Sequence, residues 1–287
     1  MTKNDSTNFV LHAKSDQLYW DGIGQQSIKT FSNGKAHYKT NKGFFAVEES
    51  RYLLLNEGSY TISIDEIEHV ESFCVFFKDG FAAEVFHSFK KTNDCLLSDP
   101  FKDTSPIGFF EKTYHKNNTL SSQLETFKQI FPSLEIDSVG YEEQFHKIMH
   151  SILNEHFNTY KEIESLNAIR RSTREELYRR VSIGHDYIRS YFDKSLKLDE
   201  VARVACLSPN HLLRTYSQIY GRTPHQHISE FRIQKAKQLL SEIDNSMTDI
   251  TFKLGFQNPV SFSKMFKQHV GISPKEYRKQ VILDKKY

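Results

Sequence analysis

The residue order predicts an α+β protein: an N-terminal antiparallel β-barrel or sandwich domain, then an all-α domain in which one helix pair occurs twice around a connector helix. Three observations predict it. Strand-like runs fall between Lys35 and Phe77, helical periodicity dominates from Leu120 onward, and the charge changes sign between the two parts. A chain of 287 residues suffices for about two domains with cores of their own.

The whole chain carries +2, from 38 Lys and Arg against 36 Asp and Glu. Taken alone, that balance argues against a polyanionic partner. Residues 1–168 hold 16 basic and 24 acidic side chains, a net −8, whereas residues 169–287 hold 22 and 12, a net +10. The asymmetry implies an acidic part joined to a basic part that can approach phosphates. Met1 to Asn8 is polar, and no segment approaches the roughly 20 apolar residues of a membrane span, so a soluble cytoplasmic protein with no membrane partner is expected. Cys74, Cys95 and Cys206 are odd in number and far apart, and are read as reduced, mostly buried thiols.

In the first part the predicted strands are Ala36 to Thr40, Gly43 to Glu49, Arg51 to Asn56, Ser59 to Ile64 and Ser72 to Phe77. Aromatic and β-branched residues dominate them, and Asn41-Lys42-Gly43 and Asn56-Glu57-Gly58 separate them, the latter a hairpin candidate. A helix follows over Leu120 to Phe131, with Leu124 and Phe127 on one face, stopped by Pro132. From Tyr141 to Leu166, Phe145, Ile148, Met149, Ile152, His156, Phe157 and Tyr160 recur at three- and four-residue intervals. Two coverings of that stripe stand open, the β-domain itself and a second copy of the helix. These readings divide the chain into a β-rich domain over 1–135, a helical linker over 136–180 and a basic domain over 181–287. Arg170, Arg171, Arg174, Arg179 and Arg180 mark the approach to the basic domain.

That domain repeats itself at an offset of 50: Ser208-Pro209 matches Asn258-Pro259, Arg214 matches Lys264, Tyr216 matches Phe266, Gly221 matches Gly271 and Pro224 matches Pro274. In each copy Ser208 or Asn258 caps a helix whose first position is proline, and Gly221 or Gly271 stops it three turns later. Leu212, Tyr216 and Ile219 form the predicted buried stripe of the first, and Phe262, Met265, Phe266 and His269 that of the second. A shorter helix precedes each, Asp199 to Ala205 and Asp249 to Leu254, with Leu207 and Phe256 plugging the turns. Short helix, tight turn and capped longer helix make a helix-turn-helix, whose second helix can enter the major groove of double-stranded DNA. The first unit is expected over about 198–221, the connector over 224–241 and the second unit over about 247–271.

The residues from about Ser182 to Gln280 resemble the AraC/XylS family of bacterial transcription regulators, through Gly255-Phe256 in the second turn, the run Ser261 to Phe266, and the terminal Gly271, Pro274, Tyr277 and Arg278. Thr251, His227 and Cys206 depart from the family's usual Ala, Tyr and Gly. The resemblance implies seven helices, two recognition helices in successive major grooves, and a transcription regulator, activator or repressor, that works as a homodimer with RNA polymerase as a partner. It also implies that the β-rich domain is cupin-like and senses a small-molecule effector.

Opposite the buried stripes, Asn210, Leu213, Arg214 and Ser217 face outward on the first helix, and Val260, Ser263, Lys264 and Lys267 on the second. With the caps Ser208 and Asn258 these are the candidate DNA-binding residues. Arg214 can donate two hydrogen bonds to guanine, Asn210 can pair with adenine, and Leu213 or Val260 can pack on a thymine methyl. Lys264 lacks the bidentate fork of arginine, which suits it to the DNA backbone. In the β-rich domain Tyr38, Phe45, Arg51, Tyr52 and Tyr60 are the candidates to line an effector pocket. His37, His69 and His87 are isolated, and no metal-ligand cluster, nucleophile–base pair or phosphate loop stands out. No metal, no cofactor and no catalytic residue is therefore expected. Two other readings remain: a cupin-type metal enzyme with a basic module, and a structural protein that binds DNA without sequence preference.

Overall fold

The computed structural model describes residues 7–90, 107–133, 139–167, 170–242 and 245–284. The chain divides into two compact units, residues 1–174 and 175–287.

The first unit contains strands β1 (Phe9–Gly24), β2 (Ser27–Ser32), β3 (Lys35–Thr40), β4 (Gly43–Glu48), β5 (Arg51–Leu55) and β6 (Gly58–Phe76), then helix α1 (Phe81–Lys90), β7 (Thr113–His115), α2 (Asn118–Ile130) and α3 (Val139–Glu164). The strands form one antiparallel sheet in the order β4-β3-β6-β2-β5-β7, with β1 added on β6. The long β6 organises it. Its first half lies between β3 and β1, its second half between β2 and β1, and the ladder breaks where Ser15 faces Val70 but Gln17 faces Asp65.

Alternation along these strands serves two cores at once. One face buries Phe31, Tyr38, Phe45, Leu53, Leu55, Ile62, Cys74 and Phe76 inside the curled sheet, a nearly closed barrel. The other face presents Ile28, Tyr52, Leu54, Phe73 and Val75 to α1, α2 and α3. Because both faces are covered, β5 is buried throughout, and after Arg51 it reads as the continuous run Tyr52 to Leu55 rather than alternating with polar residues.

Several expectations need correction. The strands expected at Ser59 to Ile64 and Ser72 to Phe77 belong to one element, β6. The Asn56-Glu57-Gly58 turn joins no hairpin, because β5 pairs with β2 and β7 while β6 pairs elsewhere. β1, β2 and α1 have no counterpart in the sequence reading. Cys206 is exposed rather than buried, Cys74 is buried, and Cys95 lies outside the described residues. Of the stripe on α3, Tyr141, Phe145, Ile148, Met149 and Ile152 lie in the core of its own unit, against the sheet, α1 and α2, whereas Phe157 is exposed.

The second unit is helical: α4 (Arg171–Tyr191), α5 (Leu198–Val204), α6 (Pro209–Tyr220), α7 (Pro224–Leu240), α8 (Met247–Lys253), α9 (Pro259–Val270) and α10 (Pro274–Asp284). Its first core joins Val181 and Ile188 of α4, Val201 and Ala202 of α5, and Leu212 and Tyr216 of α6, with Ile228 and Phe231 of α7 against them. Its second core joins Ile233, Ala236, Leu239 and Leu240 of α7 to Ile250, Leu254, Phe262 and Phe266. The single helix α7 is thus shared by both cores. At 1.5 Å per residue its 17 residues make a strut of about 25 Å.

Candidate nucleic-acid interface

Both long helices of the repeat are capped at each end by their own sequence. Ser208 is the N-cap of α6 and its hydroxyl accepts from the His211 N–H at 3.3 Å; Asn258 caps α9 and accepts from the Ser261 N–H at 2.8 Å. Pro209 and Pro259 occupy the first turn, where a missing donor costs nothing. Gly221 and Gly271 close the far ends in the left-handed conformation at φ 65° and 89°. The connector begins in a capping box between Thr223 and Gln226.

The turns are closed by backbone bonds, the Leu207 N–H donating to the Ala202 carbonyl and the Phe256 N–H to the Thr251 carbonyl, both residues half-buried against their cores. In each turn one residue adopts positive φ, Cys206 at 52° and Gly255 at 73°. This explains the family's usual glycine at the position of Cys206, where a side chain carries the strain of a left-handed backbone. Gly255 is under a second constraint, because a Cβ there would stand 2.4 Å from the Asp193 carbonyl oxygen. The other two departures are accommodated. Thr251 is fully buried and donates to the Met247 carbonyl at 2.8 Å. His227 lies within 2.7 Å of the Tyr216 hydroxyl, which also meets His185 at 2.8 Å, so three side chains tie α4, α6 and α7 together. Burial holds the His227 imidazole below its usual pKa and raises the Tyr216 hydroxyl well above its own.

With the inner faces so fixed, the outer faces follow. On α6, Leu212 and Tyr216 are buried while Asn210, Leu213 and Arg214 are exposed and Ser217 is half-buried. On α9, Phe262 and Phe266 are buried while Val260, Ser263, Lys264 and Lys267 are exposed. Met265 is half-buried, and His269, expected in the buried stripe, is exposed and bonds the Met265 carbonyl across one turn. Leu213 keeps 38% of its surface open and Val260 76%, two apolar contacts on otherwise polar faces.

The candidates in the β-rich unit separate. Tyr38, Phe45 and Tyr60 share the barrel interior. Tyr52 lies in the other core, stacked on Tyr114, and Arg51 is buried against Thr113, which its guanidinium bonds through both the hydroxyl and the carbonyl. Sequence reasoning missed Lys29. Its ammonium is buried in the barrel, 3.1 Å from the Tyr60 hydroxyl it donates to and 3.5 Å from the Phe76 ring centre, and burial lowers its pKa to about 8. A lysine in the short mixed strand Ser27–Ser32 leaves no sequence signal of burial. A small cleft of about 30 Å³ lies elsewhere, lined by Thr30, Ser32, Glu71, Lys116 and Lys128 among others. There Lys128 and His12 both donate to the Glu71 carboxylate and hold its pKa down at about 2. Among the described residues no group of three or more His, Cys, Asp or Glu could hold a metal ion.

Comparison with known proteins agrees with this geometry. Residues 201–280 match the helix-turn-helix domain family. The chain is 35% identical over 97 residues to the MmsAB operon regulatory protein of Pseudomonas aeruginosa, covering 34% of this chain and 32% of that protein. It is 32% identical over 93 residues to the melibiose operon regulatory protein of Escherichia coli, covering 32% of this chain and 31% of that protein. A solved transcriptional regulator with an AraC-type DNA-binding domain, from Chromobacterium violaceum, is 26% identical, with 36% of this chain and 91% of that chain covered and a TM-score of 0.33. The chain spans about a third of the length of the curated relatives it matches. Two helix-turn-helix units on one shared connector, and similarity over that same segment to proteins named as operon regulators, identify residues 201–280 as a helix-turn-helix domain.

Proposed function

We propose that this protein is a sequence-specific, DNA-binding transcription regulator, not an enzyme, whose outward faces of α6 and α9 read successive major grooves. The observation that carries the reading is the division of both helices into a buried apolar face and an exposed face that keeps Asn210, Leu213 and Arg214 on one, and Val260, Ser263, Lys264 and Lys267 on the other. Arg214 and Asn210 are the base readers, and Leu213 and Val260 pack on thymine methyls. Ser208, Ser217, Asn258, Ser263, Lys264 and Lys267 hold the backbone. Relatives named as operon regulators support the regulator reading.

In the same reading the β-rich part receives a small-molecule effector, two copies act together, RNA polymerase is the partner in transcription, and the work is done in the cytoplasm. No helix among the described residues is long and apolar enough to cross a membrane. Tyr38, Phe45 and Tyr60, gathered in the barrel interior, are the effector contacts this reading favours.

Selection of duplexes from a random pool by the full-length protein tests it, with and without added cell metabolites. Recovered sites should bind about 10³-fold or more tighter than random duplex at physiological salt. No enrichment under either condition would refute the regulator, and a metabolite-dependent change in recovery would support the sensing role.

A further inference from the structure

Lys29 and Cys74 are two nucleophiles buried in the barrel, 1% and 3% exposed, that DNA binding leaves unused. The ladder between β2 and β6 sets them directly opposite each other, so both side chains project to the same face with Cβ atoms about 5 Å apart. On its other side Lys29 faces Leu53 of β5, which offers only carbon. The ammonium lies 3.5 Å from the ring centre of Phe76, two residues along from Cys74 on β6. Its flexible four-carbon stem lets it swing from that ring towards the thiol. Two hydroxyls complete the group: Tyr60 accepts from Lys29 at 3.1 Å, and Tyr38 stands beside the thiol.

The protonation states suit this pair to a carbonyl carbon. Burial lowers the Lys29 pKa to about 8, so a share of the amine is neutral and nucleophilic near pH 7. Burial also pushes up the thiol and both tyrosine hydroxyls, which therefore keep their protons and can donate them. An amine alone forms an imine that water reverses, and a thiol alone forms a hemithioacetal that dissociates. Together they hold one carbon from two sides. Size selects among carbonyl compounds, because Phe31, Phe45, Leu53, Ile62 and Phe76 pack the same interior and favour the smallest aldehyde.

We propose that Lys29 and Cys74 form a covalent capture site for a small aldehyde, closed as a one-carbon bridge between β2 and β6. The amine adds to the carbonyl carbon, and one N–H proton passes to the oxygen, giving a hemiaminal. The thiol then protonates the new hydroxyl, which leaves as water, and the sulfur takes the same carbon. One C–N and one C–S bond replace the C=O double bond, with no oxidant or reductant. The site deepens the sensing reading of the β-rich part and rests on it only for a role in regulation.

The test uses the full-length protein and no DNA. The folded protein is incubated with equimolar formaldehyde near neutral pH, quenched, digested and mapped by mass spectrometry. The peptides carrying Lys29 and Cys74 should be recovered joined, heavier than their sum by one carbon atom, since CH2O is gained and water lost. Lys29→Met and Cys74→Ala should each abolish the joined peptide, with circular dichroism checking that they fold. Should either fail to fold, the wild-type map decides. Recovery of the two peptides unjoined would overturn the proposal, whatever adducts surface lysines carry. Equal yield of the joined peptide from protein denatured beforehand would also overturn it, because capture would then need no barrel. Duplex selection is read separately, so a regulator without the bridge and a bridge without a regulator are distinct results.

Discussion

Arg214 and Lys267 both stand exposed, on α6 and α9, yet their chemistry suits them to different work. A guanidinium can pair bidentately with the edge of guanine, whereas an ammonium near the backbone adds attraction that every sequence shares. Arg214→Ala should therefore cost about 1–3 kcal/mol on a selected site and relax preference at one base pair, while Lys267→Ala weakens all duplexes alike. Equal loss on selected and random DNA for Arg214→Ala would remove it from base reading. Lys29 allows a second test in the other unit. Its pKa is lowered to about 8 by burial, so the folded state favours the neutral amine, and the charge it holds at pH 7 costs stability. Lys29→Met should be at least as stable as the wild type at pH 7 in thermal melts. Its advantage should shrink as pH rises from about 8 through 10.5, above which the amine is neutral in both states; a constant difference across that range would contradict the assignment. Burial pushes the Cys74 thiol up and the Lys29 ammonium draws it down, so the two proteins are compared in a Cys74→Ala background.

At the scale of elements, the repeat depends on two kinds of glycine. Gly221 ends α6 at φ 65° with open space around it, whereas Gly255 sits at φ 73° against the Asp193 carbonyl. Gly221→Ala should cost about 1–2 kcal/mol for the left-handed backbone alone. Gly255→Ala adds a clash with main chain, and should cost distinctly more in denaturant unfolding; equal losses would refute the close approach. The helices of this domain were legible because their signals are local: Ser208-Pro209 and Asn258-Pro259 start helices, Gly221 and Gly271 stop them, and each act lies within one turn of its cause. The outward candidates on α6 and α9 follow from that same spacing. The β-rich unit was less legible because its pairings are long-range. β1 has no buried residue and so no apolar period, and β2 buries polar residues such as Lys29, whose partner Tyr60 is 31 positions away. The fate of Arg51, bonded to Thr113 across 62 positions, is equally invisible to spacing. Cys206 and His269 were misplaced for a smaller reason, since a turn residue and a last-turn residue escape the stripe that buries their neighbours.

At the scale of the molecule, the near-zero total charge conceals a −8 part and a +10 part, and the interface proposed for DNA belongs to the second. Affinity should accordingly fall with salt, and Lys264→Ala or Lys267→Ala should each reduce the slope of log K against log salt by about one. The single helix α7, shared between the two cores of that unit, couples the two reading faces, so the protein should engage two major-groove segments rather than one. Footprinting of the full-length protein on a selected duplex tests this most directly. The account predicts two protected major-groove patches on one face of the DNA, about one helical turn or 34 Å apart. A single patch, or protection spread evenly over selected and random duplexes, would contradict it.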